Sequence, residues 1–299
     1  MKTRLLAGAV VAALFAVTAN AQSDARPGTI ADLTPPGVES FNPRALLTEN
    51  FDNVSAATAP PAANGDCTVN MPGWVARNRS GALGTTCVFQ GNPTVFSAQA
   101  GAANSYAAMN FNSTTGTNTI STWLLTPVVT FTANSALEFW VRGGTGNTFP
   151  DRLQVRVSTA GAGTDVGASA TAVGTFTTLL LDINPTYAGD FACPAAGVTN
   201  VSTITGFPNA GWCRVRLTGA AGGLPTSGQG RIAFRYFVEN GGPTGANSNF
   251  IGIDTFAFED GVVVGPVTST PVNTLSTYGL GLLGLLLAGV GIAAVRRYA

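Results

Sequence analysis

Between about Leu46 and Asp260 the apolar residues of this chain return at every second position in short runs, and no helical period survives beyond a few residues. A repeat of two sends successive side chains to opposite faces of an extended strand. Leu153, Val155 and Val157 alternate with Gln154 and Arg156; Cys213, Val215 and Leu217 alternate with Arg214 and Arg216. Leu137, Phe139 and Val141 stand opposite Glu138 and Arg142, and Ile232, Phe234, Tyr236 and Val238 share one face. About eleven such runs occur, near Asn50, Trp74, Ala108, Leu124, Val129, Phe139, Val155, Leu180, Val215, Phe234 and Ile253. Their spacing and the Gly, Asn, Ser and Pro between them predict an all-β antiparallel sandwich. A parallel α/β enzyme would instead show unbroken apolar strands followed by helices. Extra length at residues 159–174 and 186–210 is expected to form insertions between strands.

Composition narrows the function. The 299 residues, 45% hydrophobic and 10% charged, can bury a full core. Lys+Arg 15 against Asp+Glu 15 leaves no net charge, so the basic footprint of a nucleic-acid binder is missing. The chain has no histidine, which removes Ser-His and Cys-His catalysis, H-E-x-x-H metalloproteases and imidazole zinc sites. A carboxylate pair for glycoside hydrolysis remains available in composition, although no local constellation singles one out.

Both ends carry targeting features. Lys2 and Arg4 precede the apolar run from Leu5 to Val17, and Ala19-Asn20-Ala21 supplies small residues for cleavage, so residues 1–21 are expected to be a secretory signal peptide. Residues 22–45 read as a flexible leader, 46–260 as the folded domain and 261–271 as a linker. Residues 278–295 contain no charge and are closed by Arg296 and Arg297, the pattern of a transmembrane helix whose arginines stay in the cytoplasm. The stretch from Val272 to Leu280, with Thr274, Leu275, Ser276 and Gly279 ahead of the apolar helix and its arginines, resembles the IPTL-type C-terminal sorting signal of Gram-negative bacteria. Asn273 stands where that family has proline. The resemblance implies an exosortase-like partner acting on residues 272–299, a membrane-anchored precursor, and delivery to the cell surface or beyond.

Cys67, Cys87, Cys193 and Cys213 form an even set in an exported chain, so disulfides are the expectation. Three connectivities are open. The equal separations of 20 residues favour Cys67 with Cys87 and Cys193 with Cys213. A four-cysteine zinc site is the alternative, but it lacks the usual C-x-x-C pairs.

The runs Thr119 to Pro127, Leu137 to Arg142, Asp151 to Ser158, Gly230 to Tyr236 and Ile251 to Asp254 resemble, in order and spacing, the choice-of-anchor J domain, a relative of cleaved-adhesin domains. That resemblance implies a jelly-roll β-sandwich of the kind used in carbohydrate-binding and adhesion modules. Such folds clip their first and last strands with structural calcium, for which Glu49, Asp52 and Asp254 are the candidates. By strand parity Arg142, Arg156, Arg214, Arg216 and Arg235 point away from the apolar face, and on neighbouring strands they would make a cationic stripe for an acidic polysaccharide. Trp140, opposite in parity to Phe139, is a candidate for stacking on a sugar ring, while Trp74, Trp123 and Trp212 are expected in the sandwich. The sequence therefore points to an exported, surface-sorted, non-catalytic binding or adhesion domain. A glycan-active hydrolase and a structural matrix component are the alternatives.

Overall fold

The computed structural model describes residues 47–55, 60–146 and 148–261. The expected signal peptide, leader, sorting signal and transmembrane helix lie outside the described residues.

Fifteen strands are formed among the described residues: β1 (Leu47–Glu49), β2 (Asp66–Cys67), β3 (Val75–Asn78), β4 (Phe89–Gln90), β5 (Ala107–Asn110), β6 (Asn118–Leu125), β7 (Val129–Thr130), β8 (Ala136–Gly143), β9 (Leu153–Ser158), β10 (Thr178–Ile183), β11 (Val198–Thr199), β12 (Thr203–Ile204), β13 (Cys213–Thr218), β14 (Gln229–Gly241) and β15 (Phe250–Glu259). They make two sheets. The first runs β11-β13-β8-β15-β5-β4 with β1 also on β15; the second runs β12-β10-β9-β14-β6-β3-β2 with β7 also on β14. All the long pairings are antiparallel. Two parallel pairings, β10 with β12 and β11 with β13, each involve a two-residue strand from the expected insertion at 186–210.

Every alternating run in the sequence became a strand. Ile232, Phe234, Tyr236 and Val238 of β14 are fully buried against the first sheet, as are Leu137, Phe139 and Val141 of β8 against the second. The sheets meet through aromatic edges. The Phe139 and Phe234 rings lie 4.9 Å apart, Phe234 and Phe256 6.0 Å, and Trp74 and Phe256 5.2 Å, all near-perpendicular. Such pairs add about 0.5–1.5 kcal/mol each beyond the area they bury.

Both disulfides are local, as the equal separations favoured. Cys67–Cys87 ties β2 of the second sheet to the segment leading into β4 of the first, and Cys193–Cys213 ties the 186–210 insertion to β13. No cysteine is left free.

β15 organises the first sheet. Its first half, Phe250 to Ile253, pairs with β5, and its second half, Phe256 to Phe258, pairs with β1, while β8 runs along its other side. The change of neighbour occurs at a bulge between Asp254 and Ala257, where Thr255 takes a left-handed φ of 47°.

Candidate functional site

The five arginines do not form one stripe. Arg142, Arg214 and Arg216 stand on the outer face of the first sheet, Arg156 and Arg235 on the outer face of the second, on opposite sides of the molecule's core. Strand parity separates inner from outer faces but carries no information about which sheet a strand joins.

On the first sheet two of the three arginines are already matched by carboxylates. Arg214 Nη2 donates to Glu138 Oε2 at 2.7 Å, Arg216 Nη1 to the same oxygen at 2.9 Å, and Arg216 Nη2 to Glu259 Oε2 at 3.2 Å. The Arg214 hydrogen bond holds the Glu138 carboxyl below the usual carboxylate range, against the opposing effect of burial. Arg142 has no carboxylate partner among the described residues. Its guanidinium lies 4.7 Å over the Phe96 ring, Nη2 donates to Thr145 Oγ1 at 3.2 Å, and the buried Nε has no hydrogen-bond partner. Trp140 is half-buried between Arg214 of β13 and Asp254 of β15 in register.

On the second sheet the arginines are structural. The insertion at 159–177 lies over this face, with Val166 and Phe176 buried against Trp123, Leu125 and Ala233. Arg235, 1% exposed, donates from Nε to Ser121 Oγ at 3.0 Å and from Nη1 to Gln154 Oε1 at 3.2 Å. Its Nη2 donates to the carbonyls of Ala170 and Ala172, and the cation sits between the rings of Trp123 and Phe237. Burial lowers the Arg235 pKa from its ordinary value. Arg156 donates to Gln154 Oε1 and to the Phe176 carbonyl. Only Trp74 of the three tryptophans expected in the sandwich lies in the intersheet core. Trp123 is buried outside it, under the insertion, and Trp212 is partly exposed on the first sheet's outer face.

The chain-end carboxylates are not gathered into a cation site. Asp254 Oδ2 accepts the Gln99 and Ala100 N–H groups at 2.7 and 3.3 Å, and Oδ1 accepts the Thr255 N–H at 2.6 Å. Through these bonds Asp254 clasps the 91–106 loop to the β15 bulge. Glu49 Oε1 accepts the Phe51 N–H at 2.9 Å, and Asp52 is exposed. Among the described residues no group of three such side chains could hold a metal ion.

A different site lies at the loop end of the first sheet. The 91–106 loop rests on a small aromatic cluster of Phe89, Phe96, Tyr106 and Phe250, outside the main core. Tyr106 fastens it: Oη accepts the Asn92 N–H at 2.9 Å and lies 2.7 Å from the Asn92 carbonyl and 3.1 Å from that of Phe96. Burial pushes the Tyr106 phenol up, so it stays a neutral donor. Gly91 is required by this packing, because a Cβ there would meet the Tyr106 ring at 2.3 Å. Beyond the loop, a cleft of about 360 Å³ opens between Asn92, Val95, Phe89, Phe250, Asn110 and Asn112. Asn110 ends β5 and caps the short 3-10 turn Phe111–Ser113 by accepting the Asn112 N–H at 3.0 Å. A second cleft of about 270 Å³ shares Phe111 and Asn249 with the first and is bounded further on by Phe149, Pro243 and Ser248. Phe149 is 47% exposed and Val95 42%. The sequence reading missed this site because scattered Asn and Thr residues carry neither charge nor period. The only local signal was the segment Asn110-Phe111-Asn112.

The clefts lie at one end of β15, and the last described residues of the chain follow its other, exit end. Phe250, the first residue of the strand, lines the cleft; Glu259, its last, is followed by Asp260 and Gly261. At about 3.3 Å per residue the two ends are roughly 30 Å apart. Leu47 pairs with Phe258, so β1 also begins at the exit end.

Residues 270–297 match the IPTL-CTERM motif. No curated protein matches the chain. Similar solved structures include the K1 cleaved adhesin domain of Lys-gingipain from Porphyromonas gingivalis W83, at 19% identity and TM-score 0.37 over 71% of this chain and 96% of that one. The K3 cleaved adhesin domain of the same protein gives 15% identity and TM-score 0.41 over 72% and 99%. The CBM22-1 xylan-binding domain of Paenibacillus barcinonensis Xyn10C gives 13% identity and TM-score 0.33 over 73% and 94%.

Proposed function

We propose that this chain is an exported, surface-sorted, non-catalytic binding or adhesion domain, with carbohydrate as its ligand class. The observation that carries the reading is the IPTL-CTERM motif at 270–297, which begins shortly after the last strand of a complete sandwich. A domain followed by such a motif is delivered by it, through an exosortase-like enzyme at the membrane of a Gram-negative-type bacterium. Two disulfides and no free cysteine suit an oxidising, extracellular setting. The apolar run of 278–295 serves as the anchor of the precursor.

Fractionation tests the delivery. Full-length chain should be found with membranes or, after processing, at the cell surface, and a chain truncated after Thr270 should appear in the medium or periplasm. Equal distribution of the two chains would overturn the reading. A hydrolysis screen on polysaccharides tests the non-catalytic part: turnover abolished by substitution of one Asp or Glu would make the protein an enzyme.

A further inference from the structure

Resting on that reading, we infer that the groove formed by the two loop-end clefts is the binding site, and that it takes a linear, uncharged, polyhydroxylated chain, that is, a neutral polysaccharide rather than an acidic one. Among the described residues no charged side chain lines either cleft, although arginines and carboxylates stand on both sheet faces. An anionic ligand would find no counter-charge there.

The polar lining is amide and hydroxyl. Asn92 and Asn110 use their Oδ1 atoms within the protein, accepting from Thr94 and from Thr86 and Asn112, while their Nδ2 groups and the Asn112 side-chain amide make no hydrogen bond among the described residues. Amides and hydroxyls donate and accept at once, as sugar hydroxyls do, whereas a purely apolar ligand would strand them. Phe111 and the exposed Phe149 offer flat apolar surface for the C–H face of a pyranose ring.

Two further features select a chain over a single sugar. The clefts share Phe111 and Asn249 and so lie side by side, and only a ligand of several sugar units would reach both. The walls are held before any ligand arrives, by Tyr106 on the 91–106 loop and by the Asn110 cap on the 3-10 turn, which reduces the ordering cost of binding.

The test uses full-length chain purified in detergent, titrated with hexasaccharides of cellulose, xylan, mannan and laminarin, and with oligogalacturonate as the acidic probe. At least one neutral hexasaccharide is expected to bind, with affinity unchanged between low and high salt. Asn112→Ala should weaken it at least tenfold, and Arg214→Ala should leave it within twofold. Val95→Trp, at an exposed rim position, should block the cleft and serves if Asn112→Ala fails to fold. Binding confined to oligogalacturonate, neutral binding that survives both variants, or binding to none of the five probes would each overturn the inference. Surface delivery in the fractionation experiment is read independently, so a failed groove leaves the sorting reading standing.

Discussion

The two outer sheet faces carry the same kind of residue at the same strand parity and put it to opposite uses. On the first sheet, Arg214 and Arg216 reach Glu138 and Glu259 at the surface, with side chains 36% and 27% exposed. On the second, Arg235 is buried beneath the 159–177 insertion and donates to two of its carbonyls, to Ser121 and to Gln154. An exposed ion pair exchanges water for a partner of similar quality and contributes little. A buried guanidinium cannot return to water, so every acceptor around it depends on it. What distinguishes the faces is the cover, and the cover is a loop.

Arg235→Ala is therefore the variant of largest expected effect. It strands the Ala170 and Ala172 carbonyls and empties the space between Trp123 and Phe237, and should cost about 3–5 kcal/mol. Arg235→Lys should rescue little, because an ammonium cannot donate in several directions across a plane. Denaturant unfolding reads both, and a loss below about 1 kcal/mol would erase the distinction between the faces. Glu138→Gln comes next, at about 1 kcal/mol, since Arg214 would then lose its carboxylate partner and Arg216 would keep Glu259 alone.

The same pair gives a pH signature. The folded Glu138 pKa lies below its unfolded value of 4.5, so its contribution is present above that value and disappears as pH falls through the folded pKa. Asp254, raised by burial, works in the other direction: its contribution is full below the unfolded value of 3.8 and is lost as pH rises through the folded pKa. Stability curves of wild type and Glu138→Gln should converge in acid and separate above about pH 5. Parallel curves at all pH values would show that the carboxylate does not hold this face. Arg214→Ala is the smallest effect, about 0.5 kcal/mol or less, because Arg216 keeps Glu138 partnered.

The alternation of apolar residues was enough to find every strand of four residues or more, because a half-buried strand must present one apolar face. The strands that escaped, β2, β4, β11 and β12, have two residues each and no room for a period. The equal cysteine spacing foretold the pairing now seen. Parity also put Arg235 and Arg214 on outer faces correctly. It could not show that residues far along the chain, such as Ala170 and Phe176, would fold back over one face and leave the other open. Asp254 stood out in the sequence as a candidate calcium ligand, but its burial was not legible there, because two of its three backbone donors come from a loop more than 150 positions away. The groove was invisible for the same reason: Asn92, Asn112 and Asn249 meet only through the pairing of β15 with β5 and the Tyr106 anchorage.

The placement of β15 also decides how the domain carries tension. In the function proposed above, a ligand at the Phe250 end and a tether following Gly261 in sequence would pull on opposite ends of one continuous strand. That strand is interior to its sheet, bonded to β8 along one edge and to β5 and β1 in turn along the other. Tension between the two ends of a strand that is already extended runs along its own covalent backbone, so the perpendicular hydrogen bonds to β8, β5 and β1 carry little of it, whereas an edge strand pulled sideways would peel one bond at a time. Rupture under such a load depends on the unfolding rate rather than on equilibrium stability. In the proposed arrangement the line from ligand to tether therefore follows one backbone strand, and drag along it spares the ladders on either side.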